Sequence, residues 1–182
     1  MKKIFVLFSF LLIACNTTKS TTSNSILNSA VISETLNCPE NGTCTIELIP
    51  NKNLEFKQDK FGNKYPIISE GNKTIFKFTF TKNPVKNTED SSYTELIYAE
   101  LNSSLNELSL VNEQLQTVKL HFGRLCFCKG ETGYYTIKNG AFSLQKITSD
   151  SIKITIDFSI KEVPQLISKI NETISLKSNK TN

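Results

Sequence analysis

The chain has 182 residues, 38% apolar and 21% charged, which is enough for one domain and too few for two of ordinary size. Its formal charge is +4, and without Lys2 and Lys3, which fall in the leader read below, 19 basic side chains face 17 acidic ones. A balance this near neutral excludes binding to nucleic acid by charge, and a single histidine, His121, excludes most histidine-based catalytic or metal sites.

The chain opens MKKIFVLFSFLLIA. Two lysines precede an apolar run from Ile4 to Ala14 that only Ser9 interrupts. Residues 1–14 therefore read as a signal peptide, because the run is shorter than the ~20 residues a spanning helix needs. It ends in Leu12-Ile13-Ala14-Cys15, which resembles the lipobox of bacterial lipoproteins. The resemblance covers the first 15 residues. It implies cleavage after Ala14, a diacylglycerol on the sulfur of Cys15 and an acylated new amino terminus, since two or more chains are needed for firm anchoring. Ten residues follow, NTTKSTTSNS, of which all but Lys19 are Ser, Thr or Asn. Such a segment buries nothing, so residues 15–30 are expected to form a disordered tether of roughly 20–27 Å root-mean-square reach. The chain is similar in style to envelope lipoproteins of the Bacteroidota. Asn16 in place of Asp implies the outer membrane by its resemblance to enterobacterial lipoprotein sorting, and the lack of the acidic cluster that surface-exposed Bacteroidota lipoproteins carry after the cysteine implies the periplasmic face.

From Val31 onward, apolar and polar residues alternate between turn signals, as strands do. Val31–Leu36 and Thr43–Ile49 flank Asn41-Gly42, a hairpin signal, and Pro50-Asn51 is expected to end the second strand. A short strand, Leu54–Lys57, runs into a turn at Asp59–Asn63. Ile75–Thr81 places Phe76, Phe78 and Phe80 on one face. Tyr93–Leu101 is apolar on both faces and so reads as covered on two sides. Leu115–Cys128 is the longest expected strand, with a bulge or bend at Gly123. Tyr134–Lys138 and Ala141–Ile147 flank Asn139-Gly140, a second hairpin signal. Ser149-Asp150 turns the chain into Ile152–Ile160, the cleanest alternation of all. The spacing of Leu166, Ile167, Ile170 and Ile174 after Pro164 then predicts an amphipathic helix over 164–175, with a final strand as the competing reading. The expected fold is an antiparallel β-sandwich with a short C-terminal helix, and an up-and-down lipocalin-like barrel is the alternative. One β-rich domain spans 31–176, and 177–182 form a tail.

Four cysteines remain in an exported chain: Cys38, Cys44, Cys126 and Cys128. They read as two disulfides, in one of three pairings. Cys38–Cys44 closes CPENGTC directly. Its complement, Cys126–Cys128, needs a kink, because residues i and i+2 of a strand hold their Cβ atoms roughly 6–7 Å apart and a disulfide needs about 3.8 Å. Crossed pairings avoid the kink and staple the N-terminal hairpin to the long strand. The chemical reading of the same residues is a thiol-redox or soft-metal site, in which Cys126 and Cys128 beside the other pair would suit Cu(I) or Zn(II).

The segment RLCFCKGETGYY, Arg124 to Tyr135, is the candidate binding surface. Gly130 and Gly133 permit tight backbone, Tyr134 and Tyr135 supply amphipathic area, and Arg124 can grip a carboxylate. The plainer reading is a glycine-containing turn with tyrosines capping the core. His121 is expected at the surface and Glu89-Asp90 in a solvated loop. No HExxH, P-loop, dinucleotide fingerprint or EF-hand pattern is present, so no catalytic residue, cofactor or enzymatic activity is assigned. The expected partners are the membrane through Cys15 and an envelope protein or small apolar ligand, the last carried in lipocalin fashion if the fold is a barrel.

Overall fold

The computed structural model describes Leu27, residues 29–35 and residues 37–177. The expected leader 1–14, Cys15 and most of the tether lie outside the described residues, as do 178–182 of the tail. Within the expected tether, Leu27 is only 2% exposed and packs in the main core, so the folded unit reaches back beyond Val31.

Among the described residues, ten strands form two antiparallel sheets. The first has six strands in the order β1 (Val31–Glu34), β2 (Gly42–Gln58), β3 (Lys64–Lys82), β4 (Tyr93–Asn102), β6 (His121–Cys126) and β7 (Gly133–Thr136). The second has four, in the order β10 (Lys169–Ser175), β9 (Ser151–Ser159), β8 (Asn139–Thr148) and β5 (Leu108–Val111). They stack as a β-sandwich. Phe76, Phe78 and Phe80 of β3 and Phe122 of β6 meet Phe142 of β8 and Ile152, Ile154, Ile156 and Phe158 of β9 in one core. No strand joins the two sheets, so the described residues form no closed barrel and the lipocalin-like alternative falls.

The clean alternations at 75–81 and 152–158 bury the faces expected of them. Other segments differ. β2 runs unbroken through Pro50-Asn51, where Asn51 takes a positive φ of 58°. The register against β3 slips there. Pro50 faces Thr74, but Asn53 faces Ser69, so Gly71 and Asn72 are extra. The slip bends the ribbon instead of ending it. The far half of the hairpin, an arm of residues 53–69, folds over the outer face of the six-stranded sheet. There Leu54 and Phe56 pack with Leu96 and Tyr98, which accounts for the two apolar faces of β4.

Leu115–Cys128 is not one strand. Asn112–Val118 forms a 3-10 helix that buries Leu115 and Val118 at i and i+3, and Lys119 in the left-handed region turns the chain into β6. Gly123 makes no bulge, because pairing continues regularly on both of its sides. A Cβ there would lie 2.6 Å from the Tyr134 ring, which lies across it. Asn139-Gly140 makes no hairpin either. Ile137 dives into the core and the chain crosses from one sheet to the other, so β7 pairs with β6 and β8 with β9.

The predicted C-terminal helix is a strand. β10 buries Ile170, Glu172 and Ile174 at a period of two. The segment before it, 160–168, is held by Glu95 of β4, a fully buried side chain whose carboxyl accepts the Leu166 and Ile167 N–H groups at 2.7 Å each and the Tyr93 hydroxyl at 2.5 Å. Removing that group strands the buried Ile167 N–H and the part-buried Leu166 N–H. Glu95→Ala is expected to lower unfolding free energy by about 3–5 kcal/mol in chemical denaturation, while Glu89→Ala in the exposed loop changes it by less than about 0.5 kcal/mol.

Candidate functional site

The arm brings its tip, the turn at Asp59–Asn63, against the far edge of the six-stranded sheet. Asp59 shapes this tip by accepting the Phe61 and Asn63 N–H groups at 2.8 Å each. An open cleft of about 290 Å³ lies between the tip and β7, lined by Gly62, Asn63 and Lys64 on one side, Thr132–Thr136 along the strand, and Lys138 and Glu162 beyond. Of the sequence-derived candidates, Gly133, Tyr134 and Tyr135 line it. Arg124 and Gly130 do not. Gly130 stands in open space at φ 75°, in the turn between β6 and β7.

Arg124 is only 7% exposed, and its charge is answered within the chain. Its Nη1 pairs with Glu131 at 2.5 Å, its Nε donates to the Tyr93 hydroxyl at 3.3 Å, and its guanidinium lies over the Tyr93 ring. Tyr93 in turn donates to Glu95. Burial, and then that bond, push the Tyr93 phenol up to about 12. The guanidinium thus positions the turn 127–132 and is not presented to a ligand.

His121 is not at the surface. The arm covers it, leaving 7% exposed, and Phe56 stacks on its ring at 3.7 Å between centroids. A single hydrogen-bond relay fixes its tautomer. Lys64 Nζ donates to Thr136 Oγ1 at 2.6 Å, the hydroxyl donates to His121 Nε2 at 3.1 Å, and Nδ1–H donates to Lys119 O at 2.8 Å. Lys64 thereby joins the cleft to the buried ring. Nothing local in the sequence marks Asn63 or Lys64 as site residues, because they reach β7 only through the bend of the arm.

The cysteines pair in sequence order, Cys38–Cys44 and Cys126–Cys128. The register explains why crossed pairs do not form. Cys44 faces Phe80, Phe80 faces Glu95 and Glu95 faces Arg124, so β2 and β6 stand three strand spacings apart, about 14 Å. That exceeds the ~7 Å limit between bonded cysteine Cα atoms. The kink demanded by Cys126–Cys128 is present: β6 ends at Cys126 and the chain bends at Phe127, whose ring is 75% exposed. The four sulfurs do not converge, and among the described residues no group of three or more His, Cys, Asp or Glu could hold a metal.

Comparison with protein-family models, with curated proteins and with solved structures gives no match.

Burial pushes the His121 ring down to about 4, and the Lys64 charge adds to this. Between pH 6.5 and 4 the unfolded chain therefore binds a proton that the native chain refuses, and stability is lost as pH falls through that window. The loss is expected to be on the order of 3 kcal/mol. Denaturation at pH 7 and pH 4 should show it in the native chain and show a smaller loss in His121→Gln, in which the other titrating groups are unchanged.

Proposed function

We propose that this chain is a bacterial lipoprotein, held by acyl groups on Cys15 at the periplasmic face of the outer membrane. In this reading its β-sandwich is a non-catalytic binding domain for an envelope partner. The observation that carries the anchor is Leu12-Ile13-Ala14-Cys15 behind a basic, apolar leader. Eleven residues separate Cys15 from buried Leu27, and even fully extended they hold the domain within about 40 Å of the bilayer. Binding is supported by the open cleft between the arm tip and β7, which presents the edge of a strand beside Lys64, Lys138 and Glu162. Growth with a clickable palmitate analogue should label the protein and place it in the outer-membrane fraction. Cys15→Ala should abolish the label and release the protein from the membrane. An unlabelled native chain removes the anchor, and a robust hydrolase or transferase activity in a broad substrate screen removes the non-catalytic reading.

One observation favours a second reading, thiol exchange at Cys126–Cys128. This bond spans a single residue, so it staples nothing distant. Closing so small a ring removes about 1.6 kcal/mol of chain entropy, against about 2.4 for Cys38–Cys44. A partner dithiol would pass two electrons and two protons to the two sulfurs and become a disulfide itself. In glutathione buffers this reading expects Cys126 and Cys128 to become alkylatable at a potential between about −120 and −270 mV, with Cys38–Cys44 still intact. A pair that stays oxidised throughout removes it.

A further inference from the structure

β7 is the last strand of its sheet. β6 pairs with one side of it, and no described strand pairs with the other. The register shows which backbone groups this leaves unused. Ile137 N–H donates to Leu120 O at 3.1 Å, so those two residues are a hydrogen-bonded pair. The antiparallel alternation then makes His121–Thr136 and Gly123–Tyr134 non-hydrogen-bonded pairs. The N–H and C=O groups of Tyr134 and Thr136 consequently point away from β6. This row of two donors and two acceptors runs along the strand that lines the cleft. The arm tip flanks the row from one layer, and Lys138 and Glu162 flank it from the other.

We infer that the cleft is a strand-addition site, in which an extended segment of a partner protein pairs with β7 and sets a carboxylate side chain between Lys64 and Lys138. The inference deepens the reading of the sandwich as a binding domain and rests on it. Three features select this occupant. First, outward backbone donors and acceptors are satisfied by another backbone and not by an apolar ligand. Second, two cations meet one acid. Lys138 makes no ion pair among the described residues, and Lys64 is turned inward only as far as the Thr136 hydroxyl. Third, a second copy of the same edge would add two lysines and one acid to a cleft that already holds two lysines and one acid, and so complements it less well than an acidic segment does.

The test uses the full-length lipidated protein in detergent micelles and a phage-displayed library of random heptapeptides. Enriched peptides should over-represent Asp and Glu. In the free protein the Tyr134 and Thr136 amides should exchange with solvent about tenfold or more faster than those of Gly133 and Tyr135, and an enriched peptide should slow them by at least about tenfold. Lys138→Glu, an exposed substitution, should weaken that peptide about fivefold or more. N-methylation of alternate residues of the peptide should abolish binding. Peptides that protect other amides overturn the cleft and leave the domain a binding module. Equal binding of the N-methylated analogue, indifference to Lys138→Glu, or a library that yields nothing also overturns the inference. The palmitate label on Cys15 reports on the anchor separately in every case.

Discussion

A sandwich core is held by burial, which is strong but has no direction. Direction comes here from the carboxyl of Glu95. It sits on the six-stranded sheet and grips the backbone of the 160–168 segment, which belongs to the four-stranded one. Behind it, Tyr93, Arg124 and Glu131 continue the same polar chain out to the turn after β6. Glu172 does the converse. It projects from the four-stranded sheet, and its carboxyl accepts the backbone and side-chain N–H groups of Asn37 beside the Cys38–Cys44 ring. Each sheet thus sends one buried acid to hold a loop of the other. These two contacts set how the layers lie, and the phenylalanines and isoleucines fill the space between them.

The outer face of the larger sheet is covered differently. A sheet face with Leu96 and Tyr98 on it needs a cover, and a helix or a further sheet is the common one. Here a β2–β3 ribbon longer than the sheet is wide bends back at its slipped register and does the covering itself. Leu54 is pinned through its own backbone, its N–H to Glu100 at 2.7 Å and its carbonyl to Lys119 at 2.7 Å, and Lys119 pairs with Glu100 at 2.8 Å. The burial of His121 and the wall of the cleft both follow from that one bend.

These dependencies explain which parts of the chain were legible. Strands whose alternation was complete, β3 at its phenylalanines and β9 at its isoleucines, could be read residue by residue. β10 could not, because the polar Glu172 occupies an inward position between Ile170 and Ile174, and the remaining isoleucines then fit a helical spacing as well. Of the two Asn-Gly pairs, Asn41-Gly42 does join paired strands, β1 to β2, and Asn139-Gly140 misled for a related reason. A dipeptide reports a local bend, and whether the flanking strands then pair depends on partners far along the chain. Around Asn41-Gly42 the turn is real but lies inside a longer loop, closed by the Gly42 N–H on Pro39 O and by the disulfide. At Gly140 the glycine serves a close approach instead, since a Cβ would lie 2.1 Å from Asp157 O. Of the cleft, the Gly133–Tyr135 half was visible as a local cluster, and the Asn63–Lys64 half was not.

The two extra residues at Gly71 and Asn72 also separate the arm's fate from that of the sandwich. On one side of the slip, every inward side chain is answerable to the core. On the other, the arm answers to the outer face of the sheet, through Leu96, Tyr98, His121 and Tyr134 and the polar contacts to Glu100, Lys119 and Thr136. The turn at its tip, from Asp59 to Asn63, touches none of the main core cluster. Insertions, deletions or substitutions there redraw one wall of the cleft while the foundation stays as it is. The molecule therefore divides into a conservative body and a revisable appendage, and changes of preference among occupants of the cleft have a place to accumulate at little expense to folding.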